Sequence, residues 1–182
     1  MITAAVVLAA GAGSRFDGPD HKLLAEIGGR PVVSHVLDAV LEADIGPVLV
    51  VTGAVRIGDV LPASTREVPN PRWAEGQATS VLAGVEAADE LGADAIVVGL
   101  GDQPGVPAAA WRRVAASSSP IAVATYGGRR RNPVRLARSI WPELPRDGDQ
   151  GARGLIEARP DLVDGVACPG NPDDIDTQED LQ

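Results

Sequence analysis

"VVLAAGAGSRFDGPDHKLLAEIGGRPV" occupies residues 6–32, and its reading decides the fold. The apolar run at 4–10 ends in glycines, as a strand buried on both faces does. Three of the next eight residues are glycine, and Arg15 and Lys22 follow close together. Glycine frees a backbone for tight turns and close approach to a ligand, while two cations so placed want an anion. Polyphosphate is the chemical match. Beyond the loop, "RPVVSHVLDAVLEAD" repeats Val32, Val33, Val36, Leu37, Val40 and Leu41 at helical spacing, with Pro31 suited to the first turn. The opening therefore reads strand, loop, helix.

The same alternation continues along the chain. "PVLVVTG" is a second buried strand, "ATSVLAGVEAADELG" a helix closed by Gly92, and "DAIVVGLGDQP" a third strand running into a turn. "PAAAWRRVAASS" reads as a helix and "PIAVATYGG" as a further strand. Strands alternating with helices require parallel crossovers, so the expectation is an open α/β sheet covered on both faces. After Tyr126, "RRRNPVRLARSIWPELPRDGDQGARGLIEARPD" is rich in glycine, proline and basic charge, and loops with short elements laid over the sheet are expected. Neither an internal repeat nor a dividing linker interrupts the pattern, so residues 1–182 read as a single domain.

Bulk composition narrows the function classes. A formal charge of −9 argues against general nucleic-acid binding, which needs a broad basic face, so any anion site must be local. One cysteine, Cys168, excludes an internal disulfide framework and fits a reducing cytosol. "MITAAVVLAAGAG" lacks the pattern of a signal peptide, and no apolar run reaches spanning length. A soluble cytoplasmic protein without membrane partners is expected.

Two familiar phosphate motifs are absent. A P-loop needs Gly-Lys-Ser/Thr after its second glycine, and a dinucleotide fingerprint needs a third glycine where Phe16 stands. What remains is a glycine loop with Arg15 and Lys22. In "GLGDQPGV", Asp102 leaves the third buried strand at the end facing the same crevice. A carboxylate there suits Mg²⁺, which takes only one or two protein ligands beside water and phosphate oxygens. Near the C-terminus, Asp174 and Asp176 alternate about Ile175, so on an extended segment both carboxylates point the same way. Thr177 with Asp180 reads as a capping box opening a terminal helix.

These segments, in this order, resemble the MobA-like nucleotidyltransferase family, and most closely its molybdenum-cofactor cytidylyltransferase (MocA-like) branch. "LAAGAGSRF" with "HKLLAEIGGRPV" is similar to the family's signature loop, "NPRWAEGQATSVLAGV" to its Asn-x-x-Trp-x-x-Gly segment, and "GDQP" to its metal-aspartate motif. "GGRRRNPV", "GDQGARGLI" and "DIDTQEDL" fall where the family has its acceptor loop, a glycine-aspartate turn and the closing Asp-Ile-Asp-Thr.

The resemblance implies a three-layer α/β fold with an open, mostly parallel Rossmann-like sheet of the nucleotide-diphospho-sugar transferase type. It implies transfer of a nucleoside monophosphate, CMP from CTP by preference, to a phosphorylated acceptor such as the molybdopterin cofactor, with release of pyrophosphate. Such transfers need in-line positioning and charge neutralisation more than a covalent nucleophile. By the same likeness Leu8, Ala9, Ala10, Gly11 and Gly13 contact the nucleotide, as do Gly76, Gln77, Thr79 and Ser80; Arg15 and Lys22 meet its phosphates. Asp102 and Asp176 hold Mg²⁺, and Arg130, Arg131 and Asn132 belong to the acceptor. Gln77 stands where close relatives often have methionine. Alternatives from the same loop are guanylyl or uridylyl transfer, a dinucleotide-dependent oxidoreductase, or nucleotide binding without catalysis.

Other residues read as structural. His35 shares a helix face with Asp38 and Glu42 and is expected at the surface. His21 has no partner in the local sequence, Cys168 reads as a small filler, and Trp73 serves either packing or stacking on a ring.

Overall fold

The computed structural model describes residues 1–18 and 20–181. The apolar run becomes β1 (Thr3–Ala9), and after the glycine loop a small hairpin of β2 (Glu26–Ile27) and β3 (Arg30–Pro31) leads into α1 (Val32–Ala43). β4 (Val48–Thr52) and β5 (Thr65–Pro69) follow, then α2 (Gln77–Glu90), β6 (Ala95–Leu100) and α3 (Ala108–Ala115). β7 (Ile121–Tyr126), β8 (Arg129–Ala137), α4 (Arg153–Ala158) and β9 (Val163–Ala167) complete the order. Seven strands form one sheet, ordered β5-β4-β1-β6-β8-β7-β9, in which β8 alone runs against its neighbours.

The layers follow from strand burial. β1 and β4 are buried on both faces, so their continuous apolar runs need a helical cover on each side. Val33, Val36, Leu37 and Val40 of α1 pack with α3 against one face; Val81, Val85 and Ala88 of α2 and Leu155 of α4 cover the other. Each fully buried valine or leucine contributes about 1.5–3 kcal/mol. The three-layer, mostly parallel α/β sheet expected from the sequence is the observed one. Among the described residues no helix is long and apolar enough to cross a membrane.

The largest departure lies after Tyr126, where a nine-residue strand replaces the expected loops. Gly127 and Gly128, with φ of 55° and 81°, supply the two positive-φ positions of a tight hairpin turn, and β8 folds back between β6 and β7. Its strand character is hidden by three exposed arginines, by Pro133 at a break in the ladder, and by Arg135, which is 4% exposed. The Arg135 guanidinium donates to the Ser119 carbonyl at 2.6 Å, and burial pushes its pKa down. β5 and β9 also went unread, because edge strands such as "TREVP" and "VDGVA" carry no apolar run.

Two smaller expectations are corrected. His35 is half-buried, and its Nε2 bonds to the Ile27 carbonyl at 2.9 Å, pinning the small hairpin to α1. The Thr177–Asp180 cap forms, the Asp180 carboxylate accepting from the Asp176 and Thr177 amides and the Thr177 hydroxyl, but the element it opens is a 3-10 turn at Glu179–Leu181 and not an α-helix.

Candidate functional site

Two cavities open side by side at the carboxyl ends of the parallel strands, of about 640 Å³ and 720 Å³. The first is walled by the glycine loop. Leu8, Ala9, Ala10, Gly11, Gly13, Arg15 and Lys22 line it from one side, and Trp73, Gly76, Gln77 and Ser80 from the other. Arg130, Arg131 and Asn132 line the second cavity, over a floor that includes Val98, Val123 and Val134. Leu8, Gln77, Leu100, Arg153 and Asp174 line both, so the cavities share a wall.

Local chemistry shapes the first cavity. Gly13 has φ of 62°, and a Cβ there would stand 3.0 Å from His21 Nε2, so any other residue would be strained and press on that ring. His21 clamps the loop: its Nε2 bonds to the Gly11 carbonyl at 3.0 Å, and Nδ1 lies 3.3 Å from the Leu23 amide, which donates to it. Burial pushes this imidazole's pKa down, and with Nδ1 accepting from the Leu23 amide, Nε2 carries the hydrogen that it donates to the Gly11 carbonyl. The partner absent from the local sequence is supplied by the loop backbone.

Opposite the loop, Asn70 is 5% exposed and fixes the entry to α2 by donating to the hydroxyls of Thr79 at 2.9 Å and Ser80 at 3.0 Å. The Thr79 hydroxyl shares its one hydrogen between the carbonyls of Arg72 and Gly76, at 3.0 Å and 2.9 Å. Thr79 is therefore committed to the backbone, and it is not among the residues lining either cavity. The Ala78 amide is likewise taken, by the Gly148 carbonyl at 2.9 Å.

At the seam, charges interlock. Lys22 Nζ lies 2.5 Å from Asp102 Oδ2 and 3.6 Å from Asp176 Oδ1, and Arg15 reaches Asp176 Oδ2 at 3.5 Å. Lys22 and Asp102 are each about 15% exposed, whereas the Arg15 side chain is 80% exposed. Asp174 stands at the rim beside them. Its carboxyl is held above the usual range first by desolvation in the cleft, then by the charges of Asp102 and Asp176, against the opposing Gln103 hydrogen bond and Lys22 charge. Ile175 is buried between the two aspartates, and its amide donates to the Asp102 carbonyl at 2.9 Å. Both carboxylates line the first cavity, as the alternation implied.

Oxygen donors alone make this a hard-cation environment, with Asp102 and Asp176 bridged by an ammonium where a divalent cation could stand. Among the described residues, no three acidic, histidine or cysteine side chains form a ready-made metal cage. A two-carboxylate donor set fits Mg²⁺ or Mn²⁺ accompanied by phosphate oxygens. Arg153, Asp149 and Gln103 also line the site and were missed by sequence reasoning, although "GDQGARG" carried a signal for the first two.

Comparison with known proteins bears directly on this arrangement. The chain is 32% identical over 179 residues to the bifunctional protein GlmU of Rhodopseudomonas palustris, covering 90% of this chain and 39% of that protein. It spans about a quarter to two fifths of the GlmU proteins it matches. It is 30% identical to the purine catabolism protein PucB of Bacillus subtilis, over 96% of this chain and 91% of PucB. A nucleotidyl transferase from Methanothermobacter thermautotroptrophicus superimposes with a TM-score of 0.84 at 29% identity, covering 98% of this chain and 94% of that one. Rv0371c of Mycobacterium tuberculosis does so at 0.84 and 30%, covering 98% and 95%, and has also been solved in complex with manganese. The MobA-like NTP transferase domain matches residues 5–163, a span that takes in the glycine loop, Lys22, Asp102 and the arginines of β8. On that match the chain belongs to the MobA-like NTP transferase family.

Proposed function

We propose that this chain, read as one domain, is a nucleotidyltransferase that moves a nucleoside monophosphate, CMP from CTP by preference, onto a phosphorylated small molecule such as the molybdopterin cofactor. The observation that carries the reading is the shared wall: two cavities meet at Leu8, Leu100 and Asp174, beside the cation and carboxylate network. The cytidine and molybdopterin preferences rest on the resemblance of the signature loop and the closing "DIDT" to the MocA-like branch.

In this reading the triphosphate lies along Ala10–Gly13, whose small residues let it approach the backbone. Lys22 and Arg15 exchange their aspartate partners for phosphate oxygens. Asp102 and Asp176, released from those cations, would hold Mg²⁺, which when bound neutralises charge on the triphosphate. The base and ribose face Gln77 and Ser80, with Trp73 alongside. The acceptor occupies the second cavity with its phosphate toward Arg130, Arg131 and Asn132. An acceptor phosphate oxygen attacks the α-phosphorus, the bond to the β-phosphate oxygen breaks, and pyrophosphate leaves. Catalysis then consists of alignment and charge neutralisation. Rival chemistries need groups this site lacks: Phe16 stands where a dinucleotide fingerprint needs its third glycine, and β4 ends at Thr52 without an acidic residue for a dinucleotide ribose.

The test is release of pyrophosphate from CTP, GTP, UTP and ATP with Mg²⁺, against a panel of phosphomonoester acceptors. The expected result is acceptor-dependent release with the highest kcat/KM for CTP. Release led by another nucleotide would overturn the cytidine preference, and none from any pair would overturn the activity.

A further inference from the structure

One buried polar side chain at the site has no part in the chemistry above. Gln103 follows Asp102 in the turn after β6 and is 3% exposed. Its amide Nε2 donates to Asp174 Oδ1 at 2.7 Å and to the Pro172 carbonyl at 2.9 Å, across 71 and 69 residues of chain. Among the described residues its Oε1 is buried without a partner. An apolar residue of similar volume would fill this turn and strand no acceptor. An amide that leaves one atom unsatisfied is destabilising on that atom alone, so the compensating gain must come from the two bonds it makes.

Those bonds do something the backbone does not. The tail is already docked by the Ile175 amide on the Asp102 carbonyl and by the Asn171 amide on the Gly105 carbonyl, each at 2.9 Å. Neither contact sets the side chain of Asp174. Gln103 does, and Asp174 lines both cavities at the place where an acceptor oxygen must meet the nucleotide. We infer that Gln103 is a positioning residue: its amide fixes the Asp174 carboxylate in the wall between the cavities, and through it the approach of the acceptor's attacking oxygen. The inference rests on the two-cavity reading of the site.

A double-mutant cycle tests it. Gln103→Met keeps length and approximate volume but removes the donor, and Asp174→Ala removes the acceptor of its bond. With CTP and the phosphomonoester that gives turnover in the wild type, each single variant is expected to lower kcat roughly ten- to hundredfold. The Kd for CTP by calorimetry is expected to stay within about twofold, because the glycine loop, Arg15 and Lys22 are untouched. In the Asp174→Ala background, adding Gln103→Met is expected to cost less than about threefold more, since the two act as one unit. Losses that multiply in the double variant, or a CTP affinity that falls in step with kcat, overturn the inference. Should Gln103→Met melt early, Asp174→Ala alone decides: wild-type turnover refutes the role, and reduced kcat at unchanged CTP affinity supports it. Absence of wild-type turnover with any pair falls on the proposed activity itself and removes this inference with it.

Discussion

The two sides of the sheet build their cavities by different means. From β5 to β6 the strands are parallel, and the cavity at their ends is made largely of backbone and small residues: Ala9, Ala10, Gly11, Gly13 and Gly76. From β8 to β9 the order includes the reversed strand, which adds the long exposed side chains of Arg130 and Arg131 to the wall. A backbone wall is fixed by the fold and offers a shape common to every nucleoside triphosphate. A side-chain wall can be rewritten residue by residue without disturbing the core. On the proposed reading, the difference teaches that specificity for the acceptor can change on the β8 side without disturbing the core.

The largest effect is expected where the two sides meet. Asp102→Asn keeps size and removes charge, and turnover is expected to fall by about 10²–10³-fold, some 3–4 kcal/mol of transition-state stabilisation. Melting temperature should hold near the wild type. Steady-state pyrophosphate release beside thermal melting checks both, and wild-type activity at saturating substrate contradicts the metal assignment.

On the parallel side, Lys22→Ala is expected to weaken CTP binding by about 10- to 100-fold, the range of a charge-assisted bond of roughly 1.5–3 kcal/mol. Arg15→Lys should recover less than the full affinity if the guanidinium binds two phosphate oxygens. Calorimetry with CTP and Mg²⁺ measures both, and unchanged affinity in Lys22→Ala moves the triphosphate elsewhere.

On the β8 side, neutralising Arg130 and Arg131 together is expected to raise the KM for acceptor roughly tenfold, about 1.4 kcal/mol, with CTP affinity within twofold. The reverse pattern would erase the contrast between the two walls.

The smallest effect concerns the His21 clamp and depends on pH. Because the folded imidazole holds its proton less tightly than the unfolded one, the unfolded state binds more protons below about pH 6.5. Stability of the loop is thus complete above that pH and declines as pH falls through the lowered value. Charging also removes the Nδ1 acceptor for the Leu23 amide. His21→Leu is expected to lose about 1–2 kcal/mol of stability at neutral pH and to flatten this dependence, as followed by thermal melting between pH 5 and 8.

Legibility in the sequence cut across that divide: β7 on the β8 side could be read from its apolar run, whereas β5 on the parallel side, without one, could not. β1, α1, β4, α2, β6 and α3 could be read because apolar runs and helical spacing are local signals, and Arg15, Lys22 and Asp102 because each lies beside such a run. β8 could not, since its ladder carries arginines and a proline, although Gly127-Gly128 announced the hairpin. The surroundings of Thr79 were hidden for a different reason. A hydroxyl at a helix entry has backbone carbonyls close at hand, and Asn70 from outside the helix completed its saturation. Gln103 was quoted only as part of a motif, because its partner lies 71 residues away and no periodicity joins them.

The central claim, that the parallel side holds the nucleotide and the β8 side the acceptor, is tested most directly by a crystal structure with a non-hydrolysable CTP analogue and Mg²⁺. The expected density places the triphosphate along Gly11–Gly13 within hydrogen-bond reach of Lys22, the cation on Asp102 and Asp176, and the base beside Gln77 and Ser80, with Arg130–Asn132 left free. A triphosphate seated instead on Arg130 and Arg131, with Lys22 still on Asp102, would contradict it.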